Sequence, residues 1–220
     1  MNLALDALAI GALRRATAAR HQHLESFLRL GDPLQLGGYI DALRGFEIFL
    51  SSWEPRLRVA TPARLHAWLA SRSRYGFACQ DLTHFNAGPR PGLSDFAACA
   101  SLVDDIALNS TAAAFGSLYV LEGSALGGQV IAKSAARALG LAAHNGAAYF
   151  NGFRSQTAAR WREFQQLLET EVGTSHEARS EACSAAQQTF DALIGVFALQ
   201  RRGASGCDAD ADADAAAAAS

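Results

Sequence analysis

Apolar residues recur every three to four positions along most of the chain, which is the spacing of one face of an α-helix. No stretch shows the alternation expected of paired strands, and all five prolines lie within the first 91 residues. The sequence therefore predicts an all-α fold, a single-domain multi-helix bundle of six to seven helices. Helices are predicted at about 10–29, 36–53, 62–85, 94–108, 111–139, 153–172 and 176–201.

Several helix ends can be predicted from single residues. Thr61 followed by Pro62 is a good helix start, and Pro55 is expected to end the second helix or to open a turn. Ser94 is a plausible N-cap, and Gly140 is a good C-cap. Loops are expected at 86–91 and 142–152. The domain division is a flexible N-terminus at 1–8, a helical domain at 9–202 and a disordered low-complexity tail at 203–220.

The composition argues against several classes of function. The net charge is −2, and no strongly basic stretch suggests a nucleic-acid partner. The four cysteines contain no CxxC pair, so neither a zinc site nor a redox dithiol is indicated. Scattered cysteines suit a reducing compartment, and the N-terminus lacks a signal-peptide layout. A cytoplasmic location is expected.

The span from Ile106 to Ala132 has Glu122 as its one charge and is long enough to cross a bilayer. It is also rich in Asn, Ser, Thr, Gly and Gln, and Glu122 would lie near the middle of the membrane. A buried central helix is therefore favoured over a membrane span.

This central helix carries four glycines, at positions 116, 123, 127 and 128. Each glycine inside a helix costs about 1 kcal/mol relative to alanine, so close approach of another surface is the usual reason for one. Gly116, Gly123 and Gly127 share one helix face. That face predicts either tight packing against another helix or contact with a flat ligand.

His21 is the first candidate for chemistry, because it falls on the apolar stripe of the first helix. Glu25, four residues on, is within reach of its Nδ1, which would leave Nε2 available to bind a metal. A buried structural histidine and a simple surface pair are the alternatives. His23 lies about 200° around the helix from His21 and is expected to face solvent.

Three arginines are candidates for binding ligand carboxylates. Arg14 lies seven residues before His21, on nearly the same face, whereas Arg160 and Arg162 belong to a later helix. Ordinary solvated residues are the alternative for all three.

Two segments together resemble a known family. LRRATAARHQHLE at 13–25 resembles the proximal-histidine helix of the biliverdin-producing heme oxygenases, and LYVLEGSALGGQV at 118–130 resembles their distal helix. The two motifs have the family's order and separation, and the resemblance covers residues 9–201. The bacterial branch is the most similar.

The resemblance implies a role for each candidate. His21 would be the axial ligand of the heme iron, oriented by Glu25, and the distal face would be formed by the catalytic positions Gly123, Ser124 and Gly127, with Gly128 beside them. Arg14 and Arg162 would contact the heme propionates. Two further basic positions of the family are Ala18 and Gln166 here, which implies a lighter grip on the propionates.

The implied reaction uses heme as both cofactor and substrate and yields biliverdin, carbon monoxide and ferrous iron from heme and O2. Its electrons would come from a partner such as a ferredoxin or a reductase, and a bacteriophytochrome is one possible acceptor of the biliverdin. Many family members have Asp where this chain has Ser124. A heme-binding or heme-delivery protein without turnover therefore stays open. A third hypothesis is a bundle of the same general shape that binds no heme and acts as a different metal enzyme or as an interaction module. Its di-iron form is disfavoured because no Glu-x-x-His occurs.

Overall fold

The computed structural model describes residues 8–28, 30, 33–87 and 96–217, with side chains up to Arg201. Seven of its helices have nine or more residues, and no strand occurs within these ranges, which confirms the all-α fold. The helices are α1 (Ala9–Leu28), α2 (Leu36–Ala60), α3 (His66–Ala70), α4 (Tyr75–His84), α5 (Phe96–Asp104), α6 (Thr111–Leu139), α7 (Ala148–Asn151), α8 (Thr157–Val172) and α9 (His176–Ala217).

The glycine-bearing helix α6 lies at the centre and packs against α2, α7, α8 and α9. It starts after Ser110, whose Oγ accepts a first-turn backbone N–H at 3.1 Å, and ends at Gly140, which has the left-handed φ of 67°. Trp53 Nε1–H donates to Ser117 Oγ at 2.8 Å, and Ser117 Oγ lies 2.6 Å from Thr189 Oγ1. These buried polar contacts join α2, α6 and α9 in the core.

The expectation that Pro55 ends the second helix is wrong, since α2 continues to Ala60. Proline removes one backbone hydrogen bond and costs about 3 kcal/mol inside a helix. Here the Pro55 ring is exposed, whereas Trp53 and Leu57 on either side are buried. Burial of these two side chains offsets the loss and carries the helix past the proline.

The predicted third helix is interrupted. A 3₁₀ turn at Ala63–Leu65 leads into the short helix α3, and an irregular segment at 71–74 separates α3 from α4. Arg72 and Arg74 within this segment are each 5% exposed, because their side chains turn inward toward α6 and α8. Hydrogen bonds to residues distant in sequence therefore interrupt the helix in a stretch whose local pattern is helical.

The loop predicted at 142–152 contains the short helix α7, which is anchored by a buried carboxylate. Asp81 of α4 accepts the backbone N–H groups of Ala148 and Tyr149, each at 2.8 Å. Burial raises the pKa of Asp81, and these two hydrogen bonds lower it in part. Asp81 thereby fixes α7 against the core.

The C-terminal end differs from the predicted domain division, and parts of both chain ends lie outside the described residues. The last helix, α9, runs to Ala217 rather than ending near Arg201, in keeping with the high helix propensity of alanine. Disorder of residues 203–220 stays a prediction, and residues 1–7 and the predicted N-cap Ser94 lie outside the described residues. Among the helices described, none is long and apolar enough to span a membrane.

Candidate functional site

Two of the four glycines of α6 allow another backbone to approach closely. A Cβ at Gly116 would lie 1.9 Å from the carbonyl oxygen of Ala182 in α9, and a Cβ at Gly128 would lie 3.1 Å from the carbonyl oxygen of Phe150 in α7. Because the first distance is far below contact distance, no side chain fits at Gly116 without a backbone shift. Helix packing accounts for these two glycines.

Gly123 and Gly127 are in a different situation, although they share a helix face with Gly116. A Cβ at Gly127 would meet no described atom within 4 Å, and one at Gly123 would meet only the ring of Trp161, at 3.8 Å. The α9 backbone therefore covers this face at Gly116 but does not reach Gly127. The result is an uncovered strip of α6 backbone, accessible to a flat group.

Apolar side chains continue this strip. Leu126 and Val130 are four residues apart on the same side of α6 and are 38% and 66% exposed. Exposed apolar groups beside bare backbone are typical of a surface that receives an apolar ligand. Neither residue was predicted as part of the site, although their spacing relative to Gly123 and Gly127 was a usable signal.

His21 lies on α1 and has the predicted partner. Its Nδ1 is 3.5 Å from Glu25 Oε2, which leaves Nε2 on the opposite side of the ring. The ring edge packs against Phe190 of α9, with 5.9 Å between centroids. The His21 side chain is 56% exposed, so it lies at the border of the buried stripe rather than within it. His23 is exposed, as predicted.

The histidine helix and the glycine helix approach each other at Tyr119 of α6. Burial raises the pKa of Tyr119, while the neighbouring Thr17 hydroxyl and the charge of Arg14, both on α1, lower it. Tyr119 therefore lies beside Thr17 and Arg14. His21 comes one turn after Thr17, and Gly123 comes one turn after Tyr119.

The direction of the two helices places His21 and Gly123 on the same side of that contact. Helix α1 begins at Glu169 of α8, whose carboxylate accepts the N–H groups of Ala9 and Ile10 at 2.9 Å each. Trp161, two turns earlier on α8, packs against Tyr119, with 6.1 Å between ring centroids. Phe115, one turn before Tyr119, stacks on Phe164, three residues after Trp161, with 6.1 Å between ring centroids. Helices α1 and α6 therefore both run opposite to α8, and we refer to the space between their next turns, at His21 and Gly123, as the cleft.

The arginines divide into two groups. Arg14 and Arg162 are exposed, and Arg162 shares the α1-facing side of α8 with Glu169, seven residues on. Arg160 instead stacks on Phe153, 3.8 Å from the ring centroid, and donates to a backbone carbonyl at the end of α3. Arg160 is therefore a packing residue, and Arg14 and Arg162 are the two near the cleft.

The hydroxyl of Ser124 is already engaged. It donates to the carbonyl oxygen of Leu121 at 2.8 Å and accepts a hydrogen bond from Arg74 Nη2 at 2.8 Å. These partners hold it away from the uncovered side of Gly123 and Gly127. The catalytic role of Ser124 stays a prediction.

A second cavity, of about 510 Å³, lies between α2 and residues 66–75. Its described lining includes Trp53, Pro55, His66 and Leu118, and none of the site residues predicted from sequence. Among the described residues, no group of three or more His, Cys, Asp or Glu side chains is arranged to hold a metal ion. We therefore take the cleft between α1 and α6 as the candidate site, because it combines an available imidazole with bare backbone.

Sequence comparison identifies the family of the chain. Residues 8–198 match the family model described as Heme oxygenase. A heme oxygenase of Xanthomonas campestris pv. campestris (strain 8004) is 40% identical over 82 residues, which are 37% of this chain and 48% of the relative. The match thus spans about half the length of that curated relative.

Solved structures show the same fold. The heme oxygenase of Leptospira interrogans superposes with a TM-score of 0.69 and 20% identity, covering 86% of this chain and 98% of the other. The NO- and CO-bound heme oxygenase of Neisseria meningitidis gives a TM-score of 0.68 and 22% identity, covering 88% and 92%. At these identities the likeness establishes the fold.

Proposed function

We propose that this chain, which belongs to the heme oxygenase family, catalyses the oxidative cleavage of heme to biliverdin, carbon monoxide and ferrous iron, with O2 and electrons from an external donor. The observation that carries the proposal is the cleft between α1 and α6. One wall offers the imidazole of His21, and the other offers the α6 backbone at Gly127, where no described atom is within 4 Å of a Cβ position, and at Gly123, where only the ring of Trp161 is.

The residues of the cleft fit a heme. His21 would bind the iron through Nε2, and Glu25 Oε2, 3.5 Å from Nδ1, would accept the Nδ1 proton and so set the tautomer and the ring orientation. Gly127 can lie against a macrocycle because even a methyl group there would have space, and Leu126 and Val130 would cover apolar edges. When bound, heme supplies the iron that activates O2 and the porphyrin edge that is oxidised.

Polar groups at the cleft would orient the ligand. Arg14 and Arg162 are exposed cations on the two helices that border it, and guanidinium groups suit propionate carboxylates. The Tyr119 hydroxyl, beside Arg14 and Thr17, adds a donor at the same end. The cations of this end would fix which edge of the macrocycle faces the glycines.

The α6 wall of the cleft, at Gly123 and Gly127, would influence how bound O2 reacts. Small residues at 123 and 127 bring main chain close to the distal side and keep acidic side chains away from it. A strong acid at that place would favour breakage of the O–O bond instead of oxidation of the ring. The partners proposed are an external electron donor such as a ferredoxin or a reductase, and an acceptor of biliverdin such as a bacteriophytochrome.

A second candidate function is heme binding or delivery without turnover. The observation that favours it is the position of Ser124, whose proton is donated to Leu121 O and whose oxygen accepts from Arg74. A hydroxyl occupied in this way cannot organise water around O2 as a free carboxylate can.

Hemin titration followed by reduction separates these functions. The purified protein is titrated with hemin while the Soret band is followed, and ascorbate or a ferredoxin system is then supplied. We expect a shifted Soret band that decays as biliverdin absorption appears. A heme spectrum that persists without biliverdin would support delivery, and an unchanged hemin spectrum would contradict both functions. His21→Ala should abolish the ligated spectrum, whereas His23→Ala should leave it nearly unchanged.

A further inference from the structure

The irregular segment Ser71–Arg74 contacts both sequence neighbours of Gly123. Arg72 Nη1 donates to Glu122 Oε2 at 2.5 Å, and Arg72 Nη2 donates to Glu163 Oε2 at 2.7 Å. The Arg72 side chain is 1% exposed and Glu122 is 10% exposed, so this ion pair is shielded from water. A buried pair of this kind is sensitive to the loss of either partner.

Arg74 holds the other side of the same turn. Its Nη2 donates both to the carbonyl oxygen of Leu121, at 2.7 Å, and to Ser124 Oγ, at 2.8 Å. The guanidinium also lies over the ring of Tyr149, 4.9 Å from its centroid, and the Arg74 backbone N–H donates to Glu54 Oε1 at 3.3 Å. Arg74 is therefore fixed at both ends before it reaches α6.

The carbonyl of Leu121 receives more donors than a helix carbonyl normally has. In a regular α-helix it accepts the N–H of Ala125, and here Ser124 Oγ–H and Arg74 Nη2–H also point at it. Side-chain donors that insert into the backbone ladder bend a helix at that point. The turn so affected contains Gly123, which has no side chain to resist a bend.

We infer that Arg72 and Arg74 are positioning residues which hold the Glu122–Ser124 turn and thereby orient the Gly123 backbone toward the cleft. The inference rests on the proposed function for its consequence at the heme. It also assigns a role to Ser124, which accepts a hydrogen bond from Arg74. This role accounts for a serine at the position where many family members have aspartate. At position 124 the neighbouring charge is therefore the cation of Arg74 rather than a carboxylate on the residue itself.

The experiment compares Arg74→Gln, Ser124→Ala and their double variant with Arg64→Gln as control. Arg64 is an exposed arginine paired through both Nη atoms with Glu171, at 2.7 and 2.6 Å, and it lies on the 3₁₀ turn before α3. The first readout is amide hydrogen exchange of residues 121–128 in the protein without hemin. We expect exchange about tenfold faster in Arg74→Gln, little change in Arg64→Gln, and partial recovery in Arg74→Lys.

The second readout is the infrared stretch of carbon monoxide added to the reduced hemin complex, which reports on the distal side. We expect Arg74→Gln and Ser124→Ala each to shift this stretch. The double variant should show a shift close to the larger of the two, because both substitutions remove the same Arg74–Ser124 hydrogen bond. Unchanged exchange and an unchanged stretch in both single variants would overturn the inference, and Ser124→Ala decides if Arg74→Gln fails to fold. A wild-type protein that yields no biliverdin contradicts only the proposed function, since neither readout requires turnover.

Discussion

At the scale of single residues, Gly116 and Gly127 show that the same residue type on the same helix face can serve opposite purposes. At Gly116 a methyl group would overlap the backbone of Ala182, whereas at Gly127 it would meet nothing described within 4 Å. Among the described residues, therefore, nothing packed against position 127 requires a glycine. Its cost to helix stability is explained if a ligand lies there.

Alanine substitutions at the two positions should have opposite effects on stability. Gly127→Ala should raise the free energy of unfolding of the hemin-free protein by about 1 kcal/mol through helix propensity, and should weaken hemin binding about tenfold because the methyl lifts the ring from the backbone. Gly116→Ala should lower that free energy by about 1–3 kcal/mol through overpacking. Urea unfolding and hemin titration measure both effects. A loss of stability in Gly127→Ala comparable to that in Gly116→Ala would show that position 127 is packed.

The second residue-scale prediction concerns the buried carboxyl of Glu122. Burial raises its pKa, and the charges of Arg72 and Arg74 offset this in part. A carboxyl with a raised folded-state pKa binds its proton more tightly in the native state. Its contribution to stability is therefore greatest at low pH and falls as pH rises from its usual value of 4.5 through the raised pKa.

Glu122→Gln should remove this pH dependence. Unfolding free energies of wild type and variant, measured from mildly acidic to neutral pH, should differ by an amount that changes with pH, with the wild type losing stability relative to the variant as pH rises. A difference that stays constant across the series would mean that Glu122 titrates alike in the folded and unfolded chain.

At the scale of elements, the sequence was most informative where the determining contacts are local. The bounds of α6 follow from its apolar pattern, Ser110 and Gly140, and the pair of His21 and Glu25 follows from a spacing of four. The break between α3 and α4 was not predictable, because the partners of Arg72 lie 50 and 91 residues away. The sequence SRSRY shows two ordinary arginines in a run compatible with a helix.

The candidate site, too, was predictable only where its features are local in sequence. The four glycines were visible in the sequence, but their division into packed and uncovered positions depends on where α9 and α7 cross α6. The path of a neighbouring helix is a tertiary property that helix periodicity does not encode. For the same reason Tyr119, whose partners Thr17 and Arg14 are about 100 residues away, was not recognised as a cleft residue.

Helix α2 offers a prediction at this scale. Pro55→Ala should raise the free energy of unfolding by about 1–3 kcal/mol, because alanine restores a backbone hydrogen bond inside a helix that already exists. Pro62→Ala is the control: Pro62 precedes a 3₁₀ turn at φ −57°, where proline fits, so this change should be neutral or destabilising. Urea unfolding of both variants is the measurement. No gain from Pro55→Ala would indicate that α2 bends at residue 55 in solution.

At the scale of the whole molecule, the cleft and the 510 Å³ cavity are separate openings beside α6. Helix α9 packs on α6 at Gly116 and the cleft lies between α1 and α6, whereas the cavity lies against α2 and has Leu118 as its described α6 residue. The arginine segment 71–74 stands between them, since Arg72 lines the cavity and also binds Glu122. A ligand in one opening should therefore be distinguishable from a ligand in the other.

Hydrogen exchange with and without hemin makes this distinction. Hemin should slow exchange at 17–25 and 119–130, the two walls of the cleft, and leave 50–58 and 66–70, the walls of the cavity, nearly unchanged. At a hemin concentration about a hundred times its Kd, the free energy of unfolding should rise by about 2.7 kcal/mol, and His21→Ala should lose most of this gain. Protection confined to the cavity walls, or a gain equally large in His21→Ala, would move the binding site out of the cleft. Protection of both cleft walls without protection of the cavity walls, together with its loss in His21→Ala, is the result expected of a ligand that bridges α1 and α6.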